Sequence, residues 1–452
     1  MVRFLYSVLI GRFLGVAVLG SVNAAISAAL LLSLLWPTSA GQAATRFVAQ
    51  MRGENRSEQA QAVANYLGRR TLSTSLLLAL ATIAICLLAL HSDIWTALCA
   101  GLLLLGYAGW SFARGVQYGA GQIVRAAAWD VIGSVFSLVA LAIVLLLHLN
   151  HALLLPLALS YGVYAIICWP RGTTADVDSA LIKPMNRFVG YGVLGTLSST
   201  GLLQLSMIGA HLVGSQTGAG LYAAALSLAT PATMLARTLS QVLFPTMAEA
   251  GGRGDTDALR RQADSITRGL VVIMMPVFGS LALAGPLVLN VLFGEKYMQA
   301  QSLLPVLLIA VMFTTLPVAA VNRLTSTGIG GARFVSAVAA GGLVLAVLLW
   351  LLLSPTLGVM GIALGYLIAM ACTSAFPIGR AWRLDGQHWR DLWLKVGLGL
   401  VLLAAGLGYV HVVSPPLWAD AGLALAFVAV WAGIAFKDIL LLARLRRGRI
   451  RK

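Results

Sequence analysis

Acid is what this chain is short of. Only 15 of its 452 residues are Asp or Glu, against 31 Lys or Arg, and charged residues of both signs make up 10%. Soluble domains carry about 25% charged residues, so a soluble globular domain is excluded. The four cysteines (Cys86, Cys99, Cys168, Cys372) form no C-x-x-C pair, which leaves them as small buried hydrophobes. No P-loop, nucleophile elbow or H-E-x-x-H helix occurs, so neither an ATPase nor a hydrolase is supported. His148 and His151 stand at i, i+3 on a turn with no further ligand-type residues around them, which argues against a metal site. No cofactor is implied, and no enzyme. The longest polar stretches, 52–70, 171–187, 250–268 and 380–395, suffice only for surface helices or loops.

Apolar length is what the chain has instead. Hydrophobic residues make up 59% and the mean hydropathy is +0.89. Runs such as "LSTSLLLALATIAICLLAL" (72–90) and "GLVVIMMPVFGSLALAGPLVLNVLF" (269–293) reach the roughly 20 residues that cross a bilayer as helix. The reading is an all-α, polytopic integral membrane protein. A net charge of +16 would suit nucleic acid, but the basic residues cluster where cytoplasmic loops belong. Clusters fall at 46–70, 114–125, 171–187, 253–268, 323–333, 380–395 and 437–452, and hold 27 Lys or Arg. The intervening turns near 91–93, 148–151, 211–217, 294–299, 355–358 and 413–420 hold Lys296 alone. Seven clusters bracket six hairpins, hence twelve spans, with one more at about 16–45. The C-terminus is expected in the cytoplasm. Residues 1–11 are too short for a span and read as the tail of a truncated first helix, giving thirteen full spans and one partial. Trp36, Trp95, Trp110, Trp169, Trp350 and Trp418 fall near expected span ends, as an interfacial belt would.

Two amphipathic stretches, "NRSEQAQAVANYLGRR" (55–70) and "DTDALRRQADSITRG" (255–269), occupy matching places. Shifted by 200 residues, Gly20 falls on Gly220 and "AAIS" (24–27) on "AALS" (224–227). Such echoes suit the internal repeats of transporters.

Ionisable residues inside spans cost about 2.5–3.5 kcal/mol on insertion scales, so those present are candidates for function. Asp130, five residues after Arg125, reads as an interfacial salt-bridge residue; Asp420 sits at a span end. Three arginines intrude: Arg12, Arg46 at the end of its span, and Arg237, some nine residues before the next loop. Snorkelling to the headgroups is the plainer account of each. The sharper one is a cavity lined by arginines without matching carboxylates, whose planar forks suit phosphate or carboxylate.

"RFLGVAVLG" (12–20) resembles the arginine-Leu-Gly signature at the end of the first helix in polysaccharide-transporter flippases, with Val16 and Leu19 in place of the usual proline and aromatic. These belong to the multidrug/oligosaccharidyl-lipid/polysaccharide (MOP) superfamily. "AATRFVAQMRGE" (43–54) is similar to that family's second-helix exit, and "LYAAALSLATP" (221–231) with "FPTMAEA" (244–250) to its eighth helix. "LFGEKYMQAQSLLPVL" (292–307) and "LGVMGIALGYLIA" (357–369) look like two further family motifs. The resemblance implies a fourteen-helix plan: two pseudo-symmetric six-helix lobes, here 1–187 and 188–395, then a helix pair and basic tail, 396–452. It implies a bacterial inner-membrane flippase moving undecaprenyl-pyrophosphate-linked oligosaccharide from the cytoplasmic to the periplasmic leaflet for O-antigen, capsule or exopolysaccharide. Its partners would be the lipid-linked oligosaccharide, the bilayer, a polysaccharide polymerase and a chain-length regulator. In related lipid II flippases, arginines of the first, second and eighth helices meet the substrate headgroup; Arg12, Arg46 and Arg237 fall on those helices here. The alternatives are a lipid II flippase proper and a cation-coupled drug antiporter, which needs a carboxylate within the lobes.

Overall fold

The computed structural model describes residues 2–171, 176–231, 247, 255–326, 329–413 and 415–441. Regular structure among them is helical throughout, and eleven helices are long and apolar enough to cross a membrane. This is a multi-pass membrane protein. Of the further spans expected from sequence, the one over 179–213 is split by a π-turn, and the one after 216 runs into residues outside the described set. The chain divides into two compact units, Met1–Gly220 and Leu221–Lys452.

The first unit holds α1 (Val2–Leu14), α2 (Val16–Ser33), α3 (Pro37–Gly53), α4 (Ser57–Leu88), α5 (Ile94–Gly119), α6 (Ile123–Leu146), α7 (Leu155–Cys168), α8 (Ser179–Thr196) and α9 (Leu202–Val213), with α10 entering it over 216–220 and described to 231. Gly15, at φ 87°, separates α1 from α2 in the left-handed region that only glycine enters freely. The chain folds back there, so that the Ser7 hydroxyl reaches Asn23 Oδ1 at 3.3 Å. Tyr6 donates to the Leu153 carbonyl just before α7, tying α1 to the unit. The single span expected at 16–45 is two helices. Pro37 has no N–H to give and disfavours helix at Trp36, which sits at φ −145° between α2 and α3. The amphipathic stretch 55–70 is helical, and it runs on without a break into the apolar part of α4.

Alpha 3 and α5 cross almost backbone to backbone. A Cβ at Gly41 would come within 2.6 Å of the Ser111 carbonyl, and one at Gly115 would strike the Gly41 carbonyl. Thr45 Oγ1 bridges the crossing, 2.9 Å from the Gly115 carbonyl. Small residues at such crossings let helices approach where lipid supplies no hydrophobic drive. Around it Phe47, Val48, Met51, Val63, Leu67, Phe112, Met185 and Val189 form a buried core shared by α3, α4, α5 and α8.

The second unit holds α11 (Thr256–Leu283), α12 (Gly285–Phe293), α13 (Leu303–Thr315), α14 (Val318–Ser326), α15 (Ile329–Leu357), α16 (Val359–Asp385), α17 (Arg390–Val413) and α18 (Leu417–Ile434). Asp255 caps α11, accepting from the Ala258 N–H at 2.8 Å, and the amphipathic stretch again continues directly into a span. Alpha 18 lies close along α11. Gly279 leaves room for the Phe427 ring, and Trp431 Nε1 donates to the Val272 carbonyl at 3.2 Å. The outer faces of α6, α15 and α17 are apolar and exposed, with Val124, Leu351 and Leu394 uncovered, as lipid contact requires.

Candidate functional site

Arg46 projects from α3 one residue past Thr45 and is exposed. Its guanidinium lies 4.9 Å from the Phe188 ring centroid and 5.6 Å from that of Phe47. The two rings meet edge to face at 6.0 Å and 86°. Both belong to, or pack on, the core of α3, α4, α5 and α8, so the cation rests on a fixed aromatic ledge. A ring face attracts the guanidinium by about 0.5–1 kcal/mol at an exposed site. It occupies none of the five N–H donors. Arg12 stands in the last turn of α1, also exposed. Arg237 lies outside the described residues. Of the three arginines singled out by sequence, two are thus located, each on a different helix of the first unit.

Asp130 on α6 does form an ion pair, but its partner is on another helix. Asp130 Oδ2 lies 3.0 Å from Arg114 Nε on α5, and Asp130 Oδ1 accepts from Trp110 Nε1 at 2.7 Å. Arg114 donates to the Tyr118 hydroxyl at 2.7 Å and covers the rings of Trp110 and Tyr118 at 5.2 and 5.0 Å. Trp110 sits past the midpoint of α5 with its indole N–H bonded to Asp130. Sequence reasoning missed this group. Its signal was the stripe Tyr107, Trp110, Arg114, Tyr118 in "GYAGWSFARGVQYG", at i, i+3, i+7 and i+11 on one helix face.

In the second unit Arg268, Arg323 and Lys395 are held on carboxylates, while Arg380 lies over the Phe334 ring at 4.3 Å. Arg268 bonds Asp264 at 3.0 Å and Asp438 at 2.8 Å, and Lys395 reaches Asp438 at 2.5 Å. Trp389 Nε1 donates to Asp264 at 2.8 Å. Arg323 of α14 pairs with Asp385 at the end of α16 at 2.7 Å through two nitrogens. Asp438, beyond α18, titrates below the usual carboxylate range: burial pushes it up, but hydrogen bonds and charge from Lys395 and Arg268 outweigh that. Asp420, in the first turn of α18, is buried, and its Oδ1 has no hydrogen-bond partner among the described residues. Among the described residues no three His, Cys, Asp or Glu side chains gather closely enough to hold a metal ion.

A family profile described as polysaccharide biosynthesis protein matches residues 121–302. Among curated proteins none matches. Solved structures do. An inward-facing multidrug resistance MATE family transporter of the MOP superfamily is 15% identical with a TM-score of 0.72, over 85% of this chain and 94% of the other. The lipid II flippase MurJ in an inward closed conformation is 13% identical with a TM-score of 0.69, over 97% of each chain. The fold is that of the MOP superfamily. A MOP superfamily transporter from Pyrococcus furiosus, whose binding pocket is described as reversed in polarity, is 18% identical with a TM-score of 0.57, over 85% of this chain and 92% of that one. At these identities the likeness to MOP structures is one of fold.

Proposed function

We propose that this chain is a MOP-type membrane flippase whose cargo is a glycan linked through a diphosphate to a polyprenyl lipid. The observation that carries the reading is Arg46, an exposed cation on α3 held on rings rather than on a carboxylate, so that its charge and donors remain for an anion. A diphosphate cannot cross about 30 Å of hydrocarbon unescorted, and a basic surface lowers that cost. Arg12 and Arg237 are proposed to complete the headgroup site. In this reading transport proceeds by alternating access without catalysis, in a bacterial inner membrane with the C-terminus cytoplasmic. The lobes are 1–187 and 188–395, with 396–452 following, on a fourteen-helix plan.

The likeness to a lipid II flippase over nearly all of both chains supports lipid II as the first cargo to test. The polysaccharide biosynthesis match supports an O-antigen, capsule or exopolysaccharide repeat unit as the second. The test is complementation of a lipid II flippase depletion and, separately, of an O-antigen flippase deletion. The wild type runs beside Arg46→Ala, Arg46→Lys and Arg237→Ala at matched membrane expression. Rescue by the wild type in either strain, with loss in Arg46→Ala, is expected; rescue undiminished by Arg46→Ala removes that arginine from the site. A drug antiporter is the second reading, favoured by the MATE fold, with Asp130 as the carboxylate it needs within the lobes. It requires proton- or sodium-dependent ethidium efflux that Asp130→Asn abolishes.

A further inference from the structure

Arg114 and Asp130 are both partly exposed, at 33% and 25% of their side chains. A charged pair is not left facing hydrocarbon, so their open side meets water or a polar ligand. Beside them stand three partly buried rings, Tyr107, Trp110 and Tyr161, with centroids 5.1, 5.3 and 5.2 Å apart in a closed triangle. Behind them the Tyr164 hydroxyl is buried and has no hydrogen-bond partner among the described residues. The Gln117 carbonyl oxygen, one turn along α5 from Arg114, is buried and unpartnered in the same sense. Tyr164 lies against Trp110 at 6.4 Å and within electrostatic reach of Asp130 and Arg114. Buried polar atoms are nearly always bonded, so two orphans at one cluster point to something that binds there.

The chemistry of the cluster selects what that is. An anion finds the Arg114 donors turned to Asp130 and Tyr118, with Arg3, near Tyr161, as a further cation in reach. A cation finds the Trp110 and Tyr118 faces already covered by the Arg114 guanidinium. A neutral polyhydroxyl ligand finds ring faces for its C–H surface. It also finds a carboxylate, a guanidinium, a phenol and an amide oxygen for its hydroxyls. We propose that this face of α5, α6 and α7 is a saccharide subsite, which reads neutral sugar of the cargo glycan. The assignment of cargo rests on the flippase reading; the binding chemistry does not. Water filling the same polar recess is the rival occupant.

The test is saturation-transfer NMR on the purified full-length protein in lauryldimethylamine oxide, a detergent with no sugar headgroup. The probes are the methyl glycosides of glucose, galactose, mannose, N-acetylglucosamine and rhamnose. At least one is expected to bind with roughly millimolar affinity. Tyr161→Leu and Trp110→Phe should each weaken it, the former by about tenfold. Trp95→Phe, at the exposed start of the same helix, should leave it unchanged. Circular dichroism and gel filtration identify any variant that fails to fold; Tyr161→Leu and Trp110→Phe perturb different elements, so one serves if the other is lost. No transfer to any of the five glycosides from folded wild type overturns the proposal, as does transfer indifferent to both variants. Glycoside binding without complementation would retain the subsite and reject the flippase reading; complementation without glycoside binding would do the reverse.

Discussion

Arg46 in the first unit lies over two phenylalanine rings, whereas Arg268 in the second is fastened between Asp264 and Asp438. The contrast recurs within each unit, with an exception on either side: Arg114 of the first also pairs with Asp130, and Arg380 of the second lies 4.3 Å from the Phe334 ring centroid. In the first, Arg70 rests on Tyr66, Arg114 on Trp110 and Tyr118, and Arg187 on Tyr191. Its ion pairs with Glu54, Asp178 and Asp93 are exposed. In the second, the carboxylates of Asp385 and Asp438 are 4% and 5% exposed. A cation on a ring keeps its hydrogen-bonding capacity; one in a buried ion pair has used it. The second unit's network is thus suited to holding α11, α17 and the segment after α18 together, whereas Arg46 keeps the donors that the proposed headgroup site would use.

The largest effect expected is from breaking the buried network. Asp438→Asn leaves Lys395 without its carboxylate and Arg268 with only Asp264, and removing one partner of a buried pair costs roughly 3–5 kcal/mol. Asp178→Asn, at a 3.7 Å exposed pair, should cost under about 1 kcal/mol. Thermal melts of both in detergent check this; equal losses would dissolve the contrast. The pH dependence has a definite sign. The folded Asp438 carboxyl titrates below its ordinary value, so its contribution is full above about pH 4 and is lost as pH falls further. The gap between the melts of wild type and Asp438→Asn should therefore be widest above about pH 4 and narrow progressively as pH falls below it.

Next in size is Gly115→Ala, whose methyl would strike the Gly41 carbonyl. Overpacking of this kind costs roughly 1–3 kcal/mol. Gly162→Ala, with nothing within 4 Å, should melt like wild type or slightly above it. Thr45→Val removes the bridge to the Gly115 carbonyl and should lower stability by about 1 kcal/mol in the same assay. The smallest effect belongs to Phe188→Leu, which strips one ring from beneath Arg46 for about 0.5–1 kcal/mol. In complementation it should fall between wild type and Arg46→Ala. A Phe188→Leu null would mean that the ledge, not the guanidinium alone, sets the site.

The membrane class and most spans were legible, because length and apolarity are local properties that a bilayer reads directly. The break before Pro37 was written in the sequence too, but the apolar run across 24–36 concealed it. The smooth passage of 55–70 and 255–269 into spans was hidden by polarity: a charged first half reads as a separate surface helix, although no Pro or Gly cluster interrupts either. Asp130 shows the deeper limit. Its nearest basic residue along the chain, Arg125, lies about 140° round the helix, while its partner Arg114 comes from α5. Pairing between helices leaves no period in one sequence. Arg46 was found by its charge; that it rests on Phe188, 142 positions away, was not readable.

The α3–α5 crossing has one more consequence. Thr45 bonds the Gly115 carbonyl, and the neighbours of that bond are Arg46 on one helix and Arg114 on the other. Sliding one helix along the other would break that bond and the glycine contact beside it, so the crossing fixes the relative level of positions 46 and 114 in this structure. The crossing acts as a gauge. Under the proposed reading, a diphosphate seated at Arg46 would meet a fixed spacing along this crossing to Arg114, which would favour cargo by the length of its first linkage.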